Sequence, residues 1–153
     1  PINLVYNEPY TQTFMDRNAN KPLPHCRAIL LCEDVGEDEA TGAISLINLI
    51  EHFKTDTFPA QTRPFMLFLQ LYDGIGRYGV CIEARALDDD TSVARATLSD
   101  VDFPERLAKI EMMVPVDSVL LPRPGRYELA LLLDGQELAK QHFDAETDDD
   151  IEQ

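Results

Sequence analysis

The sequence contains no tryptophan, so the Cys…Trp…Cys signature of antibody domains is absent. Cysteine is scarce. Cys26, Cys32 and Cys81 form an odd set with no Cys-x-x-Cys spacing, which argues against a zinc site or a dithiol redox centre. Cys26 and Cys32 on one strand would face the same side yet stand too far apart to bond. Buried, unpaired thiols in a reducing compartment are expected. Long apolar runs are missing too. The longest, around Phe65 to Leu71, falls far short of the about 20 residues that a bilayer-spanning helix needs. The chain starts at Pro1, with no basic segment leading into an apolar one, so no export signal is read and a cytoplasmic location is expected.

Positive charge is in short supply: 13 Lys and Arg against 28 Asp and Glu give a formal net charge of −15. Such a chain repels phosphate, so neither direct nucleic-acid binding nor attachment to an anionic membrane is expected. Part of the excess is local. Asp144 to Gln153 carries six acids and no base, the composition of a solvated, disordered tail. The expected division is an N-terminal arm over 1–24, one domain over 25–144 and an acidic tail over 145–153.

Catalytic motifs are likewise lacking. There is no Gly-x-Ser-x-Gly elbow, His-Glu-x-x-His or phosphate-cradling glycine loop, and His25, His52 and His142 lie far apart in the chain. No catalytic residue, metal ligand or cofactor is assigned, and no enzymatic activity is expected; an enzyme of unrecognised type is kept as an alternative. Acidic segments at Asp34 to Glu39, Asp88 to Asp90 and Asp100 to Asp102, with Asp73 and Asp134 at hairpin ends, make a calcium-binding sandwich another alternative. None matches an EF-hand loop, and successive turns of a sandwich would divide them between its two ends. A further alternative is an acidic mimic of nucleic acid that occupies a basic partner.

What the sequence does hold is a succession of short strands. The strongest signal is Leu120-Leu121-Pro122-Arg123-Pro124-Gly125-Arg126-Tyr127, a run to Leu133, Asp134-Gly135, and a second run to Phe143. The prolines and glycine make a rigid corner, and Asp-Gly between apolar runs predicts a two-residue hairpin turn. That turn pairs Leu133 with Gln136, Leu131 with Leu138 and Ala130 with Ala139. Lys140 then falls opposite Leu129, a mismatch that a bulge would repair. Tyr127 suits a tyrosine corner, its hydroxyl bonding backbone a few residues upstream.

Earlier in the chain, Arg27 to Glu33 fits a buried strand and Asp34 to Gly42 an acidic loop. Ala43 to Phe53 is ambiguous, because Leu46, Leu49, Ile50 and Phe53 match helical spacing while the isoleucines favour β; it is read as a strand. Phe65 to Asp73 is apolar on both faces, with Phe65, Leu67, Leu69 and Leu71 on one and Met66, Phe68 and Tyr72 on the other. Tyr78 to Leu87 and Ala108 to Val114 alternate as half-exposed strands do. Between them lie a short strand from Ser92 to Leu98 and a loop from Ser99 to Arg106. Ile2, Leu4 and Tyr6 allow one short strand in the arm. Seven or eight strands without a βαβ rhythm indicate an all-β fold, an antiparallel immunoglobulin-like β-sandwich.

Several of these segments occur in a familiar order. Ala28-Ile-Leu-Leu-Cys-Glu-Asp34, Ile44 to Ile50 after an acidic glycine-containing loop, a strand opening at Pro64-Phe65, Pro124-Gly125-x-Tyr127 and a terminal hairpin resemble a family of small bacterial proteins of unknown function. The resemblance covers roughly Arg27 to Ala145, implies a compact β-sandwich and supplies no catalytic residue. A strand that is apolar on both faces needs cover on both. The expected function is therefore a non-enzymatic protein-binding or assembly module. Met66, Phe68 and Tyr72 form its interface, buried by self-association or by another protein.

Overall fold

The computed structural model describes residues 2–4 and 21–148. Most of the expected arm and residues 149–153 of the expected tail lie outside the described residues. In chain order the strands are β1 (Ile2–Leu4), β2 (His25–Glu37), β3 (Ile44–Leu49), β4 (His52–Thr55), β5 (Ala60–Gln61) and β6 (Phe65–Tyr72), then β7 (Gly76–Ala86), β8 (Thr91–Phe103), β9 (Lys109–Leu121), β10 (Gly125–Leu133) and β11 (Gln136–Thr147). Ten of these span three residues or more and β5 spans two, against the seven or eight expected.

The first sheet runs β1-β9-β6-β2-β3, with β5 also on β9, and the second runs β4-β11-β10-β7-β8. The interior pairings are antiparallel, while the edge pairs β1/β9 and β4/β11 are parallel. The segment that carries β3 and β4 is thus shared between the two sheets, its second part lying parallel to the last strand. This is an immunoglobulin-like sandwich.

The ambiguous segment resolves as two strands in different sheets. β3 ends at Leu49, the chain crosses over, and β4 begins at His52. Ile50 is buried at the crossing and donates its N–H to the Leu31 carbonyl at 2.8 Å. The crossing changes which side chains point inward, so Ile50 and Phe53 imitate a helical period. Two expected loops are strand in their first parts. β2 continues through Glu37 to pair with β3, and β8 continues to Phe103 because Val101 and Phe103 fill core positions opposite Tyr78 and Gly76. β11 runs past the expected domain boundary at residue 144: Asp144 to Thr147 pair with His52 to Thr55.

Between the sheets, Leu31, Leu67, Leu69 and Leu71 meet Val80, Ile82, Leu129, Leu131 and Leu133, all nearly inaccessible. Aromatic rings close both ends. Phe53 contacts Phe65 and Phe143, and Phe143 stacks on Tyr127 at 5.5 Å. At the other end Tyr78 meets Phe103 edge-on, and a side-chain carbon on Gly74 would stand 2.4 Å from the Phe103 ring. Lys21 is fastened there too, 4.1 Å above the Tyr78 ring and 3.8 Å from Asp134. Burial pushes the thiols of the unpaired Cys26, Cys32 and Cys81 up, which favours their neutral form.

The C-terminal hairpin turns at Asp134 and Gly135, both at positive φ, as a type I′ turn requires. Leu133 faces Gln136 as expected, but the register shifts between Leu131 and Leu132. Leu131 therefore faces Ala139 rather than Leu138, and Ala130 faces Lys140 rather than Ala139. The bulge moves Lys140 off Leu129 and sets Phe143 against Tyr127 in the core. Tyr127 also makes the corner: its hydroxyl donates to the Arg123 carbonyl and accepts the Arg123 N–H at 3.3 Å. Arg123 in turn clasps Asp88 with two bonds of 2.8 and 3.0 Å. Tyr127→Phe keeps the ring and removes the corner, and should lower stability by about 1–2 kcal/mol in urea unfolding, with an unchanged far-UV spectrum.

Candidate interaction surface

The outer faces of the two sheets differ in kind. On the second sheet the outward side chains form a ladder of alternating charge. Arg85 reaches Glu83 and Glu137 at 2.6 Å each and Glu128 at 3.3 Å, while Arg95 and Ser92 also bond Glu83. Glu128 faces His142 at 3.5 Å and Lys140 at 3.9 Å. Glu83 and Glu128 are 5% and 3% exposed although both point away from the core. Burial works to raise the Glu83 pKa, and the bonds from Arg95, Arg85 and Ser92 outweigh it, so the carboxyl sits below its ordinary range.

At the edge of this ladder His52 Nδ1 lies 3.3 Å from Glu146 and 3.8 Å from Asp144, and Asp144 also accepts from Arg126 Nε at 3.0 Å. The three groups come within 4.8 Å of one another across the parallel β4/β11 pair. Residues some ninety positions apart meet there, which no local spacing could show. His142 stands on the same face, whereas His25 packs against Tyr72 on the first sheet at 4.9 Å between ring centroids. Asp38 caps a turn through the N–H groups of Ala40 and Thr41, Asp88 holds Arg123, Asp134 accepts the Gly79 N–H, and Asp100 and Asp102 lie within β8.

The middle of the outer face of the first sheet is apolar, bounded on β2 by Asp34 opposite Ile47. Register places Pro115, Met66, Cys32 and Leu49 in one row across β9, β6, β2 and β3, with no charge among them. The next row holds Met113, Phe68 and Leu30. Of the three residues expected at an interface, Met66 and Tyr72 are half-buried, but Phe68 is only 4% exposed and offers no surface. The accessible apolar surface is carried by Leu49 at 57%, Ile47 at 44% and Met113 at 39%, none of which the sequence reading singled out. A signal was present. Ile44-Ser-Leu-Ile-Asn-Leu49 is an uncharged run in a chain of which 27% is charged. Toward one end the face becomes polar, where Gln70 donates to Glu111 at 2.7 Å.

The buried acid of the ladder gives a pH test. Glu83→Gln should cost about 1.5–3 kcal/mol at pH 7, because charged hydrogen bonds are lost. With the folded pKa depressed, that stabilisation is full above the ordinary glutamate range and lost as pH falls through the lowered value. Urea midpoints of variant and wild type should therefore converge on acidification, and a constant gap would contradict the assignment.

No curated protein matches the chain. Among solved structures it is similar to alkylpurine DNA glycosylase AlkC of Pseudomonas fluorescens bound to DNA containing an abasic site analog, with 12% identity, a TM-score of 0.46 and 62% of this chain covered. The chain spans 27% of that glycosylase's length. An immunoglobulin-like protein from Pseudomonas aeruginosa is also similar, at 12% identity and a TM-score of 0.39, with 82% of this chain and 98% of that one covered. Residues 27–146 match the family of unknown function DUF6941, nearly the span over which the sequence motifs run, and the chain belongs to that family.

Proposed function

We propose that the protein is a non-enzymatic binding module that docks another protein on the outer face of its first sheet. The observation that carries this reading is the set of exposed Pro115, Met113, Leu49 and Ile47 around half-buried Met66, with inaccessible Cys32 in the same uncharged row and Asp34 at its margin opposite Ile47, in a chain of net charge −15. Apolar residues contiguous across several strands are the surface that association buries most favourably, and depletion of charge marks the centre of an interface. The ladder on the second sheet supports the same assignment by contrast. Its carboxylates face bases, so docking there would first break bonds already made. Nucleic acid and anionic membranes are set aside as partners on charge. Among the described residues no helix is long and apolar enough to cross a membrane.

The test is a paired substitution, Leu49→Glu with Met113→Glu, at two exposed sites where folding stability should change by no more than about 0.5 kcal/mol each. In cells producing the tagged chain, cross-links from the wild type to its partner should be at least tenfold more abundant than those from the variant, roughly the loss of one interface hot spot. Equal cross-linking by the two would remove this face from consideration.

A further inference from the structure

At the end of the sandwich closed by the phenylalanines, β4, the connection over 55–64 and the end of β9 enclose a cavity of about 330 Å³. Ligand cavities begin at about this size. Phe53 and Leu121, both buried, and half-buried Phe58 give it an apolar interior. Its charged lining residues are Lys54 and Arg63, and no acid lines it, although acids outnumber bases by 28 to 13 in the chain. The wall is held in place. Thr62 donates its N–H to the Val119 carbonyl and accepts the Val119 N–H on Oγ1, both at 3.0 Å, while Ala60 and Gln61 pair with Leu121 and Leu120.

Arg63 sits over this interior, its guanidinium carbon 5.9 Å from the Phe53 ring centroid. Its Nη1 donates to Glu33 Oε1 at 3.0 Å. Among the described residues Nε and Nη2 have no partner, which leaves part of a planar donor fork suited to a second carboxylate. We propose that the cavity binds a small carboxylate with an apolar body of about the size of one aromatic ring. The body would lie against Phe53, Phe58 and Leu121, and its carboxylate on Arg63. Glu33 then acts as a built-in competitor for the same guanidinium. None of the residues lining the cavity belongs to the row that docks protein, so neither reading rests on the other, although Glu33 also accepts from the Asn48 amide of β3 at 2.9 Å.

3-Phenylpropionate is the probe, titrated into the full chain and followed through backbone amide shifts, with 3-phenylpropanol and 3-phenylpropylamine as neutral and cationic counterparts. A ligand this small is expected to bind with a Kd on the order of 1 mM. The acid should shift amides over 53–63 and at Leu121 saturably, at least tenfold more tightly than the amine. Arg63→Gln should weaken binding about tenfold, the loss of a charge-assisted pair, while Glu33→Gln should tighten it several-fold by releasing Nη1. Both side chains are exposed, and an unchanged spectrum of the free variants shows that each is folded. Opposite effects from the two partners of one ion pair are not expected of a merely structural contact. The proposal fails if there is no saturable shift, if the amine binds as tightly as the acid, or if Arg63→Gln has no effect.

Discussion

The crossing of the chain from one sheet to the other at Ile50 is the constraint on which most of the structure depends. Its side chain enters the core and its N–H is taken by the Leu31 carbonyl, so the crossing costs no unpaired buried donor. Once the chain has crossed, β4 has to lie parallel to β11, which the bond from the Asp144 N–H to the Glu51 carbonyl begins at 2.9 Å. Three consequences follow. Phe53 reaches Phe65 and Phe143 and closes one end of the core. The connection after β4 has to return along β9, which forms the cavity beside Arg63. And β3 is left at the sheet edge, its outward side chains exposed.

The two outer faces show how one chain treats the same geometric problem in opposite ways. Any strand of a sandwich presents half its side chains away from the core. On the second sheet those positions are filled with acids and bases in cross-strand contact, and the Arg85 guanidinium serves three carboxylates at once. A buried carboxylate such as Glu83 is tolerable there because it accepts from two guanidinium groups and the Ser92 hydroxyl. In the middle of the first sheet the corresponding positions are apolar, and nothing of this kind is available between Met113, Met66, Cys32 and Leu49. The difference is not a matter of overall composition, since both faces belong to the same acidic chain.

Much of this was legible in the sequence, and what was not legible has physical reasons. Corner and hairpin could be read because turn chemistry is local: Pro124, Gly125, Asp134 and Gly135 fix backbone angles whatever surrounds them. The doubly apolar strand was legible for the same reason, as alternation is a property of one segment. Misreadings arose wherever pairing partners decided the outcome. Ser99 to Phe103 looks polar enough for a loop, yet Val101 and Phe103 alone justify extending the strand when Tyr78 and Gly76 lie opposite. Phe68 looked available because its neighbours in sequence say nothing of its neighbours across strands. His52, Asp144 and Glu146 meet only through a parallel edge pairing, and Arg63 reaches the Phe53 ring only after the chain has changed sheets.

Exposed edges invite pairing with other chains, and folded proteins usually blunt them with charge, proline or irregular twist. β8 carries Arg95, Asp100 and Asp102, and β4 carries His52 and Lys54. β3 has none of these charges. Its defence is a single irregularity at Asn48, held at φ 55 with its amide on Glu33 at 2.9 Å. Asparagine tolerates that conformation better than the β-branched residues around it, and the left-handed residue breaks the straight run that a second strand would need. Long-range repulsion adds to this. Two copies that each carry a charge of −15 repel before their edges meet, and the repulsion reaches about 8 Å through physiological salt. The same acidity thus works with Asn48 to let the chain keep one strand bare and apolar.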